Sequence, residues 1–446
     1  MINTLTDRSK EIIKFFNQFK YIDNKKILLN KKTKKFLYNT YNNLKEANSR
    51  LLKIEYYPEI SIVHSKLLYN ENYYISNKIK SYINDKAMYK IKYSWQKNER
   101  NVDLIFIVFS DKDIKDINIY NRYAHNVFLV LDLLFIYSNK NCSENQEINI
   151  YMTPFKRELP NSKSKLILSP IHINGGISYV CPTTGKITIY RKQEWFKVLI
   201  HESFHNLGFD FANMNLNNFN KKMHTIFPLK SEFNIFEAYC EFWALTLNVI
   251  ISSFLINGGS KTYNEFEERF KEYMLIEQSF TYLQVNKILW YMDLNYIDLF
   301  GKDRNNIIAR EKYKENTNVF SYYICKMILL SDYNKFIVWC IENNNNIFDF
   351  NKTKLGLDNI FKYILKNYKS DYIINNINIF SRFIFNERKI FKTRKKIRKK
   401  SRDNKFKTTT NEQYILHRRS SQKYKKKDKK TNILKKGLCL TSIELK

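Results

Sequence analysis

Glycine and proline are scarce in this chain, with 9 and 6 among 446 residues. Few positions can break a helix or close a tight turn, so long helices are favoured. Cysteine is nearly as sparse. Cys142, Cys181, Cys240, Cys325, Cys340 and Cys439 form no C-x-x-C pair. That spacing offers neither a cysteine zinc site nor a disulfide framework, and a reducing compartment is the simpler expectation. Cys240, Cys325 and Cys340 fall in apolar helical patterns and read as small buried hydrophobes. The opening residues, Met1 to Arg8, hold no apolar stretch of the secretory kind, so an intracellular, non-secreted protein is expected. Long hydrophobic runs are also missing. The longest uncharged one, from Phe242 up to Lys261, is interrupted by Asn248, Ser252, Ser253, Asn257 and a glycine pair. It reads as a core helix, and no membrane span is expected.

Acidic residues are outnumbered, 43 against 76 Lys and Arg, for a net charge of +33. Residues 387–446 hold 23 Lys and Arg and 5 Asp and Glu, a balance of +18, which leaves +15 for the rest. Such an excess attracts nucleic acid, anionic lipid or acidic partners without choosing among them. Hydrophobic residues at 44%, with 16% aromatic, mark a globular chain. Its length suggests two or three domains.

Residues 1–100 read as a helical, polar region with no evident chemistry; His64 stands alone. Residues 103–109 have the length and β-branching of a buried strand. A helix over 117–137 and a strand over 148–152 follow, a strand–helix–strand order that suggests a small α/β layer. Ile177–Val180 and Lys186–Tyr190 read as strands joined by the Pro-Thr-Thr-Gly turn. Gly175 and Gly176 permit close backbone approach. The strand they begin is either an ordinary hairpin arm or an open sheet edge able to take an extended peptide. Residues 262–380 are helical again. From Asn386 the chain becomes basic with little apolar content, and a disordered tail able to bind a polyanion is expected. The resulting partition is 1–100, 101–260, 261–385 and 386–446. The class is α+β, mainly helical.

One stretch carries specific chemistry: His201-Glu202-Ser203-Phe204-His205. On a helix, residues four apart share a face, so His201 and His205 can offer imidazoles to one metal ion. Glu202 projects beside that face, within reach of a coordinated water whose pKa zinc lowers to about 7. With only seven histidines in the chain, an accidental match is improbable. Val198, Leu199, Ile200, Phe204 and Leu207 make the helix apolar, and buried histidines need partners. Gly208 is placed to end the helix in a left-handed turn.

A second helix carries Glu237 and Glu241 among Phe236, Tyr239, Cys240, Phe242 and Trp243. Acids in such company are rare unless paired or metal-bound. Glu237 would complete a two-histidine, one-glutamate zinc site, and Glu241 would orient a ligand imidazole. The reverse assignment of the two stays open, and Asp210 and His224 are further candidates for the third ligand. Tyr322 or Tyr323 could donate to a developing oxyanion; Tyr323 is taken as the substrate-binding candidate, with Gly175 and Gly176.

Taken together, H-E-S-F-H at 201–205 and E-A-Y-C-E-F-W-A at 237–244 resemble the gluzincin branch of the zinc metallopeptidases. The block from Ser169-Pro170 to Glu241 is similar to uncharacterised metallopeptidases of large DNA viruses. The resemblance covers roughly 150–345. It implies a zincin-like core with a small mixed sheet ahead of the H-E-x-x-H helix and a helical subdomain after it. It also implies Zn2+ held by His201, His205 and Glu237, Glu202 as catalytic base, and a peptide or protein substrate. The competing expectation is a basic, nucleic-acid-associated structural protein, of the kind found in virions, whose metal site only braces the fold.

Overall fold

The computed structural model describes residues 3–19, 28–64, 67, 74–160, 166–382, 384 and 436–446. Six strands form one mixed sheet: β1 (Glu59–Ile62), β2 (Tyr89–Lys97), β3 (Arg100–Val108), β4 (Asn145–Tyr151), β5 (Gly176–Ser178) and β6 (Thr184–Ile189). Their spatial order is β1-β2-β3-β4-β6-β5. β1, β2 and β3 are antiparallel. Between β2 and β3 the chain turns at Asn98, whose positive φ of 55° suits asparagine. β3, β4 and β6 run parallel. That direction demands a crossover, and the helix α1 (Ile117–Phe135) provides the first one.

Residues 59–62 and 89–97 therefore belong to the sheet, which corrects the reading of 1–100 as a helical region. The signal was present. Tyr89-Lys90-Ile91-Lys92-Tyr93 alternates, and Ile91 and Tyr93 are buried. The pairing of β2 with β3 runs across residue 100, and the helices beyond residue 261 share one hydrophobic core with the sheet.

The chain passes from β6 into α2 (Trp195–Asn206), every residue of which is buried. α2 packs on α3 (Ile235–Leu255). Among the described residues, α3 is the one helix long and apolar enough to cross a membrane, and its apolar stretch is buried inside the protein. A helix apolar on all sides is a core helix. Behind it lie α4 (Tyr263–Tyr291) and a six-residue π turn, Phe320–Cys325.

Two sequence expectations are overturned. Cys142 and Cys181 form a disulfide. β4 and β6 pair in parallel with Asn145 opposite Thr184, and each cysteine stands three residues before its strand's partner position. No spacing rule could show that. The basic tail does not extend to residue 446 either. Lys436–Lys446 pack inside the molecule, with Leu438, Cys439, Leu440, Ile443 and Leu445 buried. The tail expectation for 386–435 lies outside the described residues.

Candidate metal centre

Four residues apart on α2, His201 and His205 point the same way, and their Nε2 atoms are 3.2 Å apart. Glu237, in the first turn of α3, brings Oε2 to 3.1 Å from His201 Nε2 and 3.5 Å from His205 Nε2. A tetrahedral zinc with bonds of about 2.0–2.1 Å needs ligand atoms about 3.3 Å apart. The three distances bracket that value, so this donor set fits a zinc ion without rearrangement.

The outer contacts give the same reading. His205 Nδ1 lies 2.8 Å from Asp210 Oδ2, and His201 Nδ1 lies 3.1 Å from Glu241 Oε1. With its proton on Nδ1 each imidazole would offer an Nε2 lone pair beside Glu237 Oε2, a donor set able to hold a cation; without one, His201 Nε2–H donates to Glu237 Oε2 at 3.1 Å. Asn318 Nδ2 donates to Glu237 Oε1 at 3.1 Å, leaving Oε2 for the cluster. Lys197 Nζ donates to both oxygens of Glu241.

Charge at the site reflects the same crowding. Burial works against the charged form of His201, yet Glu237 and Glu241 outweigh it and hold its pKa raised. Burial works against a charged His205 too, and Asp210, its Oδ2 2.8 Å from Nδ1, outweighs it and holds the pKa well above the ordinary value. Glu237 and Glu241 are held well below the usual carboxylate range despite burial, Glu237 chiefly by the two histidines and Glu241 chiefly by Lys197. Cys240 Sγ is 3.8 Å from His205 Nδ1, but burial pushes its thiol pKa up, so it is no thiolate ligand.

Glu202 sits against the sheet. Its Oε2 accepts from Ser178 Oγ at 2.8 Å, and Ser178 lies on β5, the edge strand. A Cβ on Gly176 would stand 2.8 Å from Glu202 Cγ and Oε1. Only glycine lets strand and acid approach so closely. Gly175 and Gly176 both line the cleft beside His201 and Glu202, as does Tyr322.

Tyr323, the expected substrate contact, does not reach that cleft. Its hydroxyl donates to the Leu438 carbonyl at 2.6 Å. Tyr322, its neighbour on the π turn, faces the cluster instead, with its ring 6.0 Å from that of His201. The wide turn changes the phase on which an α-helical reading depends. Asp210 is a partner of His205 rather than a third ligand. His224 is exposed on a separate helix and faces Phe233. Gly208 has φ +70° and closes α2 as expected, its N–H reaching the His205 carbonyl at 2.9 Å. Lys197, Asn318 and Leu440 were not among the expected site residues, and Asn318 and Leu440 carry no sequence signal for that role. Lys197 alone could have been suspected, as a cation inside an apolar helix one turn before His201.

The chain matches no protein-family model, no curated protein and no solved structure. Its functional reading therefore rests on the site itself.

Proposed function

We propose that this chain is a zinc-dependent peptidase of gluzincin type, built on a zincin-like core. The observation that carries the reading is the triangle of His201 Nε2, His205 Nε2 and Glu237 Oε2 with Glu202 beside it, against the edge strand β5. Zinc held by those three residues would supply Lewis-acid polarisation of a carbonyl and acidify a coordinated water.

The chain's own residues do the rest. An extended peptide adds to the free edge of β5, and its backbone pairs with Gly176–Ser178. That lays the scissile carbonyl across the cleft. Glu202, oriented by Ser178, takes the proton of the attacking water and passes it to the leaving amine. Tyr322 keeps its proton, because burial and then the Glu237, Glu202 and Glu241 carboxylates raise its pKa well above the ordinary value. It is therefore a donor for the developing oxyanion. Glu241 and Asp210 keep both imidazoles in the ligating tautomer. Nucleic acid or another polyanion is a further proposed partner, on the charge of the sequence alone.

The test is metal analysis with a proteome-scale cleavage screen, wild type against Glu202→Gln. One zinc per chain is expected in both proteins, with cleavage falling about 10²–10⁴-fold in the variant. A Glu202→Gln protein that cleaves at the wild-type rate, or wild type purified without zinc, refutes the assignment.

A further inference from the structure

Glu237 turns one oxygen to the histidines, and two asparagines occupy the other. Asn234 stands immediately before α3, three residues ahead of Glu237, and its carbonyl accepts the Glu237 N–H at 3.0 Å. Its side-chain Nδ2 donates to Asn318 Oδ1 at 2.8 Å, and Asn318 Nδ2 donates in turn to Glu237 Oε1 at 3.1 Å. A side-chain amide has one accepting end and one donating end. Asn234 takes up the accepting end of Asn318, so the donating end is the one that faces Glu237.

The segment carrying Asn318 is tied on both flanks. Asn316 N–H reaches the Leu168 carbonyl at 2.8 Å, and Thr317 Oγ1 donates to Asn174 Oδ1 at 2.9 Å. Glu315 Oε2 accepts the Phe320 N–H at 2.7 Å. The Asn318 carbonyl accepts the Tyr322 N–H at 2.9 Å, so the residue that holds Glu237 by its side chain also holds, by its backbone, the π turn bearing Tyr322. A carboxylate can bind a metal ion through one oxygen or both. Binding through both would need Oε1 as well as Oε2 within about 2.0–2.2 Å of zinc, and would crowd the position that a catalytic site keeps open. We infer that Asn318 is a positioning residue of the metal centre: by engaging Glu237 Oε1 it confines Glu237 to ligation through Oε2 and keeps the fourth position free. This deepens the proposed function and rests on its metal site.

The probe is Co2+ alone, added to the metal-free full chain. Coordination geometry is legible in the spectrum of such an ion: four-coordinate cobalt absorbs strongly in the visible, and the absorption falls as the coordination number rises. Wild type should bind one Co2+ with strong four-coordinate bands. Asn318→Leu keeps most of the side-chain bulk and removes the amide, so Oε1 is released and the bound ion should lose most of its visible intensity. Asn234→Asp should give the same loss with Asn318 in place. An aspartate cannot donate to Asn318 Oδ1, so the Asn318 amide turns over and sets its oxygen against Glu237. Aspartate also suits the position before a helix, which keeps the test available if Asn318→Leu does not fold. A merely structural role would lower metal affinity or melting temperature and leave the spectrum of the bound ion as it was. Unchanged bands in the folded, cobalt-loaded variants overturn the inference, as do weak, higher-coordinate bands in wild type. A wild type that takes up neither Co2+ nor zinc overturns the metal centre and this inference with it. Variants that lose the bands while wild type cleaves no peptide leave the role of Asn318 standing and remove the peptidase reading instead.

Discussion

Replacing Lys197 by methionine separates what holds the metal centre together from what tunes it. Lys197 and Glu241 are 1% and 3% exposed, and the ammonium bonds both carboxylate oxygens. The substitution keeps a long unbranched side chain and removes the charge, stranding a buried carboxylate against His201. Breaking a buried pair in this way costs about 3–5 kcal/mol. Zinc on His201 would offset part of that cost, so the loss should be largest in chelator-treated protein. The double variant Lys197→Met/Glu241→Leu removes both charges and should recover most of the stability. It also deprives His201 of the carboxylate at Nδ1, and zinc affinity should fall about 10–100-fold. Urea unfolding of metal-free protein and competition with a zinc chelator read the two quantities separately. The reasoning fails if Lys197→Met costs under about 1 kcal/mol, or if the double variant is no more stable than the single one.

Three more expectations follow from the same contacts. Asp210→Ala should lower zinc affinity about 10–100-fold with little change in fold, read by chelator competition, because His205 loses its Nδ1 partner. Reducing the Cys142–Cys181 bond, whose cysteines are 39 residues apart, should cost about 4 kcal/mol by chain entropy, measured as the difference in unfolding free energy with and without reductant. Cys181 N–H also meets the His205 carbonyl at 3.1 Å, so reduction should weaken zinc retention as well. Burial pulls the Lys287 ammonium from its ordinary 10.5 down to about 7. A lysine depressed in the folded state costs stability fully below the folded pKa, and the cost fades as pH rises towards the unfolded one. Wild type should therefore gain on Lys287→Met between pH 7 and 10; equal slopes in urea titrations would refute this.

The residues of the candidate metal centre were legible because they break a local rule. Polar side chains inside α2 and α3 need a reason, and spacing supplied one for His201, His205, Glu237 and Glu241. The hairpin of β5 and β6 was legible through its turn. The choice between Glu237 and Glu241 was not, since both sit on one face of α3 one turn apart. Only the approach of α2, with Lys197 level with Glu241 and the two Nε2 atoms level with Glu237, gives each acid its own neighbours. The register that joins Cys142 to Cys181 is likewise a property of paired strands. So is the crowding of Gly176 on Glu202, which needs β5 and α2 in place.

Pairing and metal binding are two ways for a carboxylate to survive in a core. Glu277 takes another route and caps the backbone of a distant segment, while Glu194 does so in addition to pairing with Arg157. Neither carboxylate lies in a recognisable motif, because its partners are peptide N–H groups that every residue but proline carries. The receiving segment did leave a trace. Leu438 and Leu440 alternate, as do Ile443 and Leu445, in an otherwise basic region, and all four are buried. Period-two apolar pairs at the far side of a lysine-rich stretch are better read as an extended segment returning to the core than as the tail's continuation. Here that return puts Leu440 in the wall of the cleft that also holds His201 and Glu202.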